Sequence, residues 1–362
     1  MSRGRRFGVC VYVGTEVALE PQITYLDAAI THGCALVMTS LHLPEMDMAR
    51  APVECRAIAA RTRPAGVTFI ADVSPVTFAH LGASPANTTP LADLGLDAVR
   101  PDYGFEAAEL AAMARGPGPA VVLNAADVTD ERLDAVLAAA PQGLAGTWAI
   151  HNYYPRPETG ISLDTCIERG RRLTALDIRV AAFAASQHAR RGPVHEGLPT
   201  IEDFRGLPPA RAAEILFASG AIDAVMIGDP SLDTGEVSDL AAVAGRDEIV
   251  IRARRHGEPS REELAVMDEP LTCWAVAQYL VRTGNPALRT AAAIAPRNTD
   301  ARPAYSITID NARYPRFAGT LHVVRRDLPA DPRVNVVGSV DPADRLLIDL
   351  LQPGNRFRFV WG

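Results

Sequence analysis

The ten residues His151-Asn-Tyr-Tyr-Pro-Arg-Pro-Glu-Thr-Gly160 set an imidazole, a carboxamide, two phenols, a guanidinium and a carboxylate side by side, directly after a short apolar run. Each group has a chemical use. A carboxyl flanked by proline and tyrosine, as Glu158 is, can lose hydration, which raises its pKa toward the working pH and suits it to donate a proton. Arg156 can grip a phosphate or carboxylate through two parallel N–H donors. His151 and Asn152 can hydrogen-bond the hydroxyls or amide of a polar ligand.

Similar groups follow other apolar runs. Thr39-Ser-Leu-His-Leu-Pro-Glu45 brings His42, and Asp72-Val-Ser-Pro75 brings Asp72; Arg100-Pro-Asp102 adds Asp102, and Asn124 and Gly228-Asp229 supply Asn124 and Asp229. A long loop, Arg190-Arg-Gly-Pro-Val-His-Glu-Gly-Leu-Pro199, holds Arg191 and Glu196. An Asp after a strand is often only the cap of the next helix. Acids after six such runs, counting Glu45, Asp72, Asp102, Glu158, Glu196 and Asp229, exceed what capping explains.

Two chemistries use acids grouped in this way. A pair of carboxylates can cleave a glycosidic bond, one protonating the leaving oxygen while the other attacks the anomeric carbon or activates water. Histidines 42 and 151 with nearby carboxylates could instead hold a divalent metal. The chain has no His-Glu-x-x-His helix and no other familiar ligand spacing, so a metal site is not expected. It contains no lysine, which excludes Schiff-base aldolase and pyridoxal-phosphate chemistry, and no cofactor is expected.

The elements that must position these groups alternate regularly. Strand-like runs at Phe7–Val13, Ala35–Leu41, Val67–Val73, Ala98–Asp102, Ala120–Ala125, Gly146–Asn152, Arg179–Ala185 and Ala224–Asp229 are separated by segments with helical periodicity, such as Leu19–His32 and Thr129–Ala140. Eight βα units predict an α/β (β/α)8 TIM barrel, whose chemistry sits on the loops after the strands. The rival, a doubly wound sheet, calls for a Gly-rich loop after the first strand, and Gly14-Thr15-Glu16 offers none. Beyond about Gly245 the pattern turns to strands, at Glu248–Arg254, Tyr305–Asp310, Leu321–Arg325, Val334–Val340 and Arg356–Trp361, with one helix expected around Pro270–Arg282. The reading is a barrel domain over residues 1–246 and a smaller β-rich domain over 247–362.

With 48% hydrophobic residues and a net charge of −7, the chain reads as a globular protein without the basic face that nucleic acid requires. Its partner is expected to be a small anionic sugar, not nucleic acid or a membrane; a homodimer is left open. Arg3, Arg5 and Arg6 before Phe7–Val13 imitate a leader only faintly, because that apolar run is short and continues into Gly14 and Glu16. Five cysteines without a Cys-x-x-Cys pair read as core residues of a reducing compartment.

Several of these strings resemble the MupG-type 6-phospho-N-acetylmuramidases: Thr39–Glu45, Asp72–Pro75, Asp102–Phe105, Asn152–Gly160, Arg191–Thr200, Ile227–Asp229, Ile307–Asn311 and Arg333–Gly338. The resemblance spans almost the whole chain. It implies an N-terminal TIM barrel, a C-terminal domain of cyclophilin-like β-barrel type, and cytoplasmic hydrolysis of the bond between 6-phospho-N-acetylmuramic acid and its neighbouring sugar in peptidoglycan recycling. On this reading Glu158 is the general acid and Asp102 the second carboxylate, with Asp72 and Asp229 in reserve. Arg156, foremost, and Arg191 bind the phosphate or lactyl carboxylate, while His42, Asn124, His151, Asn152 and Glu196 line the substrate site. The alternatives are a non-catalytic phosphosugar-binding protein and a metal-dependent barrel isomerase or hydrolase.

Overall fold

The computed structural model describes residues 4–139, 147–284 and 294–362. Two compact units divide the chain, Met1–Gly245 and Arg246–Gly362.

In the first unit, parallel strands β1 (Arg6–Cys10), β2 (Leu36–Ser40), β3 (Thr68–Val73), β4 (Ala98–Pro101), β5 (Ala120–Val121), β6 (Leu123–Asn124), β7 (Trp148–Ile150), β8 (Arg179–Ala184) and β9 (Ala224–Ile227) alternate with helices. These are α1 (Leu19–Thr31), α2 (Ala51–Thr62), α3 (Pro75–Leu81), α4 (Thr89–Ala92), α5 (Ala107–Arg115), α6 (Asp130–Ala139), α7 (Leu163–Thr174), α8 (Pro209–Ala218) and α9 (Thr234–Ala244). The sheet runs β5-β4-β3-β2-β1-β9-β8-β7-β6. Its two ends, β5 and β6, are separated in sequence only by Val122, whose N–H still bonds Val99 O, so nine segments act as eight staves of a TIM-like barrel. Ala140 and Gly146, read from sequence as a helix end and a strand start, lie outside the described residues.

The strands form where runs such as Leu-Val-Met-Thr-Ser are buried on both faces, as parallel strands under helices must be. Cys10, Met38, Ile70, Val122, Ile150, Phe183 and Met226 fill the interior, and Tyr12 and Tyr153 close it near the top. Two glycines make the staves fit: a Cβ on Gly8 would stand 2.6 Å from Leu36 O, and one on Gly228 would stand 2.5 Å from Leu198 O. Helix starts are set by side chains that bond the first free N–H groups; Ser74 caps α3, Ser162 caps α7 and Asp233 caps α9.

The second unit is a closed barrel in the order β10 (Ile249–Arg255), β15 (Val334–Val340), β13 (Ser306–Asp310), β14 (Leu321–Val324), β12 (Leu280–Gly284), β11 (Leu271–Val276) and β16 (Arg356–Trp361), with helices α10 (Arg261–Met267) and α11 (Arg345–Leu350). All its pairings are antiparallel except β10 with β16. The helix expected around Pro270–Arg282 is instead the β11–β12 hairpin. Leu271 and Cys273 point inward while Thr272 and Trp274 face out, a period of two that the apolar run Ala275-Val-Ala had masked.

Candidate active site

Arg100 is the centre of the barrel mouth. It lies near the end of β4, buried, and uses nearly every donor it has. Nε and Nη2 donate to the two oxygens of Asp72 at 2.5 and 2.9 Å; Nη1 donates to Ile150 O, His151 O and Asn152 Oδ1 at 2.9, 3.2 and 2.9 Å. A guanidinium is tolerated here because its charge is matched in fork geometry and its remaining protons are satisfied. Burial pushes Asp72 upward and Arg100 opposes it. Asp72 therefore belongs to the frame of the site: both of its oxygens are engaged and the carboxyl is out of solvent.

Asp102, two residues further on, differs in being open. Its side chain is 21% exposed at the mouth, and three donors converge on it. Asn124 Nδ2 donates to Oδ1 at 2.9 Å, Arg100 Nη2 stands 3.5 Å from the same oxygen, and His42 Nε2 lies 3.4 Å from Oδ2. Burial raises the Asp102 pKa, but the His42 hydrogen bond and the charges of Arg100 and His42 outweigh it, holding the carboxyl below its ordinary value. Asn124 is itself fixed, since its Oδ1 accepts from Ala126 N at 2.9 Å.

A second cluster surrounds Arg191, whose side chain is only 8% exposed. Its guanidinium carbon lies 4.7 Å from the ring centroid of Tyr12 and 5.8 Å from that of Tyr153. Nη1 donates to Tyr153 Oη at 3.3 Å, and Nη2 stands 3.6 Å from Glu45 Oε1. Burial pushes the Tyr153 phenol up to about 12, with Arg191 opposing. Asp229 sets this loop: it is buried and accepts the N–H groups of Ser186, Arg191 and Leu198, each at 3.0 Å. Asp229 thus shapes the loop that presents Arg191 and offers no free oxygen edge to a ligand.

The remaining sequence-read residues fall elsewhere. His151 is buried beneath the mouth, neither ring nitrogen has a partner among the described residues, and burial lowers its pKa to about 3, so the ring is neutral. Asn152 supports the frame, its Oδ1 accepting from Arg100 and its carbonyl from Thr200 Oγ1. Glu196 is exposed, and its carbonyl accepts from Arg190 and Arg205. Arg156 and Glu158 form a loose pair at 3.9 Å with side chains 71% and 85% exposed. The desolvation that the flanking prolines and tyrosines were expected to give Glu158 is absent, because Tyr153 turns inward to Arg191 while the loop beyond Pro155 faces solvent.

Tyr12 and Glu45 complete the Arg191 cluster, and the sequence marks neither as a ligand residue. Tyr12 sits inside an apolar strand run, where nothing in the sequence tells a mouth residue from a core residue. Among the described residues, no three His, Cys, Asp or Glu side chains come together as a metal site.

Comparison with known proteins fits this arrangement. The chain is similar along its length to two solved structures. One is an uncharacterized B. cereus protein (TM-score 0.80, 26% identity, 99% of each chain covered). The other is a conserved Enterococcus faecalis protein of unknown function (TM-score 0.66, 29% identity, 98% of this chain and 96% of that one covered). No protein with a curated description matches the chain significantly. The family profile for the N-terminal region of 6-phospho-N-acetylmuramidase matches residues 7–242, and that for its C-terminal region matches residues 272–360. The chain, with its ionised carboxylate and enclosed arginine at the mouth of the barrel, belongs to the 6-phospho-N-acetylmuramidase family, a family of glycosidases.

Proposed function

We propose that this glycosidase releases 6-phospho-N-acetylmuramic acid from a neighbouring sugar in cell-wall recycling, with Asp102 as the carboxylate that acts at the anomeric carbon. The observation that carries this reading is the convergence of Asn124, Arg100 and His42 on one carboxylate that still faces the mouth. A carboxylate held below its ordinary pKa is ionised at neutral pH, which suits it to attack or stabilise an oxocarbenium-like centre as the glycosidic C–O bond breaks. The departing oxygen then takes its proton from a second carboxyl or from water at the open mouth, and water supplies the hydroxyl of the released sugar. His42, Asn124 and Arg100 are positioning residues in this scheme, because they act through Asp102. Arg191 supplies the charge for an acidic group of the sugar, inside walls of Tyr12 and Tyr153 that exclude water and strengthen the attraction.

Membership of the family supports 6-phospho-N-acetylmuramic acid as the sugar. We further assign the second unit, a closed seven-stranded barrel, to the cyclophilin-like type. We place the reaction in the cytoplasm, where the five buried free cysteines would stay reduced.

The test is hydrolysis of a disaccharide of 6-phospho-N-acetylmuramic acid and N-acetylglucosamine by the purified protein, followed by release of reducing sugar. Asp102→Asn keeps the size of the side chain and removes its charge; kcat should fall by at least on the order of a hundredfold. An Asp102→Asn enzyme with wild-type kcat would overturn the assignment, and no hydrolysis by the wild-type protein would overturn the substrate.

A further inference from the structure

We infer that Tyr103 is the platform on which the leaving sugar stacks, which makes it a specificity-determining residue for the uncharged half of the substrate. The inference rests on the hydrolase reading above and extends it to the side of the scissile bond that Arg191 does not serve.

Tyr103 directly follows Asp102 and is 54% exposed, a large ring left open beside the carboxylate that acts on the substrate. The ring is held in place. It stands perpendicular to the His42 imidazole with centroids 5.3 Å apart, a favourable edge-to-face contact. The backbone on either side is pinned. Asp102 is fixed by its three donors, and Gly104 adopts a φ of +79°, where a Cβ would stand 3.1 Å from Pro75 Cδ and Cγ. Phe105 is buried against Phe78, its carbonyl accepting from Arg132 Nη2 at 2.9 Å. An exposed aromatic on such an anchored stretch loses little conformational entropy when a ligand covers it.

Position decides which half of the substrate it meets. In the barrel, β4 stands three staves from β1 and, with β5 and β6 counted as one, three from β8. By stave order Tyr103 therefore follows a strand on the far side of the barrel from the strands that lead to Tyr12 and to the Arg191 loop. The β2 loop lies between them, with His42 against Tyr103 and Glu45 beside Arg191. If the acidic sugar occupies the Arg191 side, the group beside Tyr103 is the one that departs. The open face of the Tyr103 ring suits the C–H face of an uncharged pyranose. Those slightly positive C–H groups meet the negative face of the aromatic ring. N-Acetylglucosamine has such a face.

The experiment compares two substrates with the same phosphosugar: the disaccharide, and the glycosyl fluoride, whose departing atom is too small to reach Tyr103. In Tyr103→Ala the ratio of kcat/KM for the disaccharide to that for the fluoride should fall roughly tenfold. Inhibition by free N-acetylglucosamine should weaken in parallel. Tyr103→Phe, which keeps the ring, should hold the ratio near wild type. Equal losses on both substrates, or an unchanged ratio in Tyr103→Ala, would overturn the assignment while leaving the hydrolase reading intact. Failure of the wild-type protein on both substrates would instead overturn the hydrolase reading, and this inference with it.

Discussion

At the scale of single residues, Asp102 and Arg191 are the two charges the site is built around, and both can be tested through their surroundings. Asp102 has a folded pKa depressed below its ordinary 3.8, so its ionised form, and the stability it contributes, persist above 3.8 and are lost only as the pH falls through the depressed value. The acid limb of kcat/KM should therefore lie below pH 3.8. His42→Gln removes the hydrogen bond and charge that oppose burial, so that limb should move up in pH. An unmoved limb would show that His42 does not hold Asp102. For the arginines, exposure sets the order. Arg191→Met removes an enclosed guanidinium and should weaken binding of the phosphosugar by on the order of 2 to 5 kcal/mol. Arg156→Ala removes a solvated one and should cost less than about 1 kcal/mol. Glu158→Gln should change kcat little, since nothing desolvates that carboxyl. Substrate and inhibitor constants for the three variants check the order, and a larger effect at Arg156 than at Arg191 would reverse it. The sequence makes the polar residues legible because they interrupt apolar strands. It cannot say which oxygen is free. Asp72, Asp102 and Asp229 look alike as letters, yet one is locked by a guanidinium, one is open, and one is spent on three backbone N–H groups.

At the scale of elements, the eight-stave barrel follows from the alternation of apolar runs and helical stretches, and those runs end where the chemistry begins. What periodicity did not reveal was the break at Val122 and the β11–β12 hairpin, because short apolar runs carry no reliable period. Nor does it reveal that Arg100 links elements. From β4 it reaches Asp72 at the end of β3 and the carbonyls of Ile150 and His151 at the end of β7, bracing the staves across the mouth. Arg100→Met keeps much of the apolar stem but leaves the Asp72 charge and the His151 carbonyl buried without this donor, while Ile150 O keeps the Ala125 N–H. The expected loss is about 3 to 5 kcal/mol of unfolding free energy. Adding Asp72→Asn removes the stranded charge and should recover part of that loss, a coupling read from a double-mutant cycle in denaturant. Strict additivity of the two substitutions, or a single Arg100→Met variant as stable as the parent, would show that the pair does not brace the barrel.

At the scale of the whole molecule, the second unit closes its sheet into a barrel, while the first brings the two ends of its sheet, β5 and β6, together around Val122. Helix α9 ends at Ala244 and β10 begins at Ile249, so the chain passes from one unit to the other within a few residues. Each unit also has a core of its own: Ile70, Phe183 and Met226 lie in the first, and Ile251, Ile309, Val323 and Phe357 in the second. If those cores fold independently, the connection is a tether and its length is nearly free, because lengthening a loop costs only about 0.6 kcal/mol per doubling. Inserting six Gly and Ser residues between Gly245 and Arg246 should then leave the unfolding transitions of both units within about 2 °C of the parent. Trp148 reports on the first unit and Trp274 and Trp361 on the second, so fluorescence of variants retaining only one set separates the two transitions. Hydrolysis by the inserted protein should also persist, since every residue assigned to the site lies before Gly245. A large drop in either transition, or loss of activity with both barrels folded, would mean that the short connection itself sets a geometry on which stability or catalysis depends.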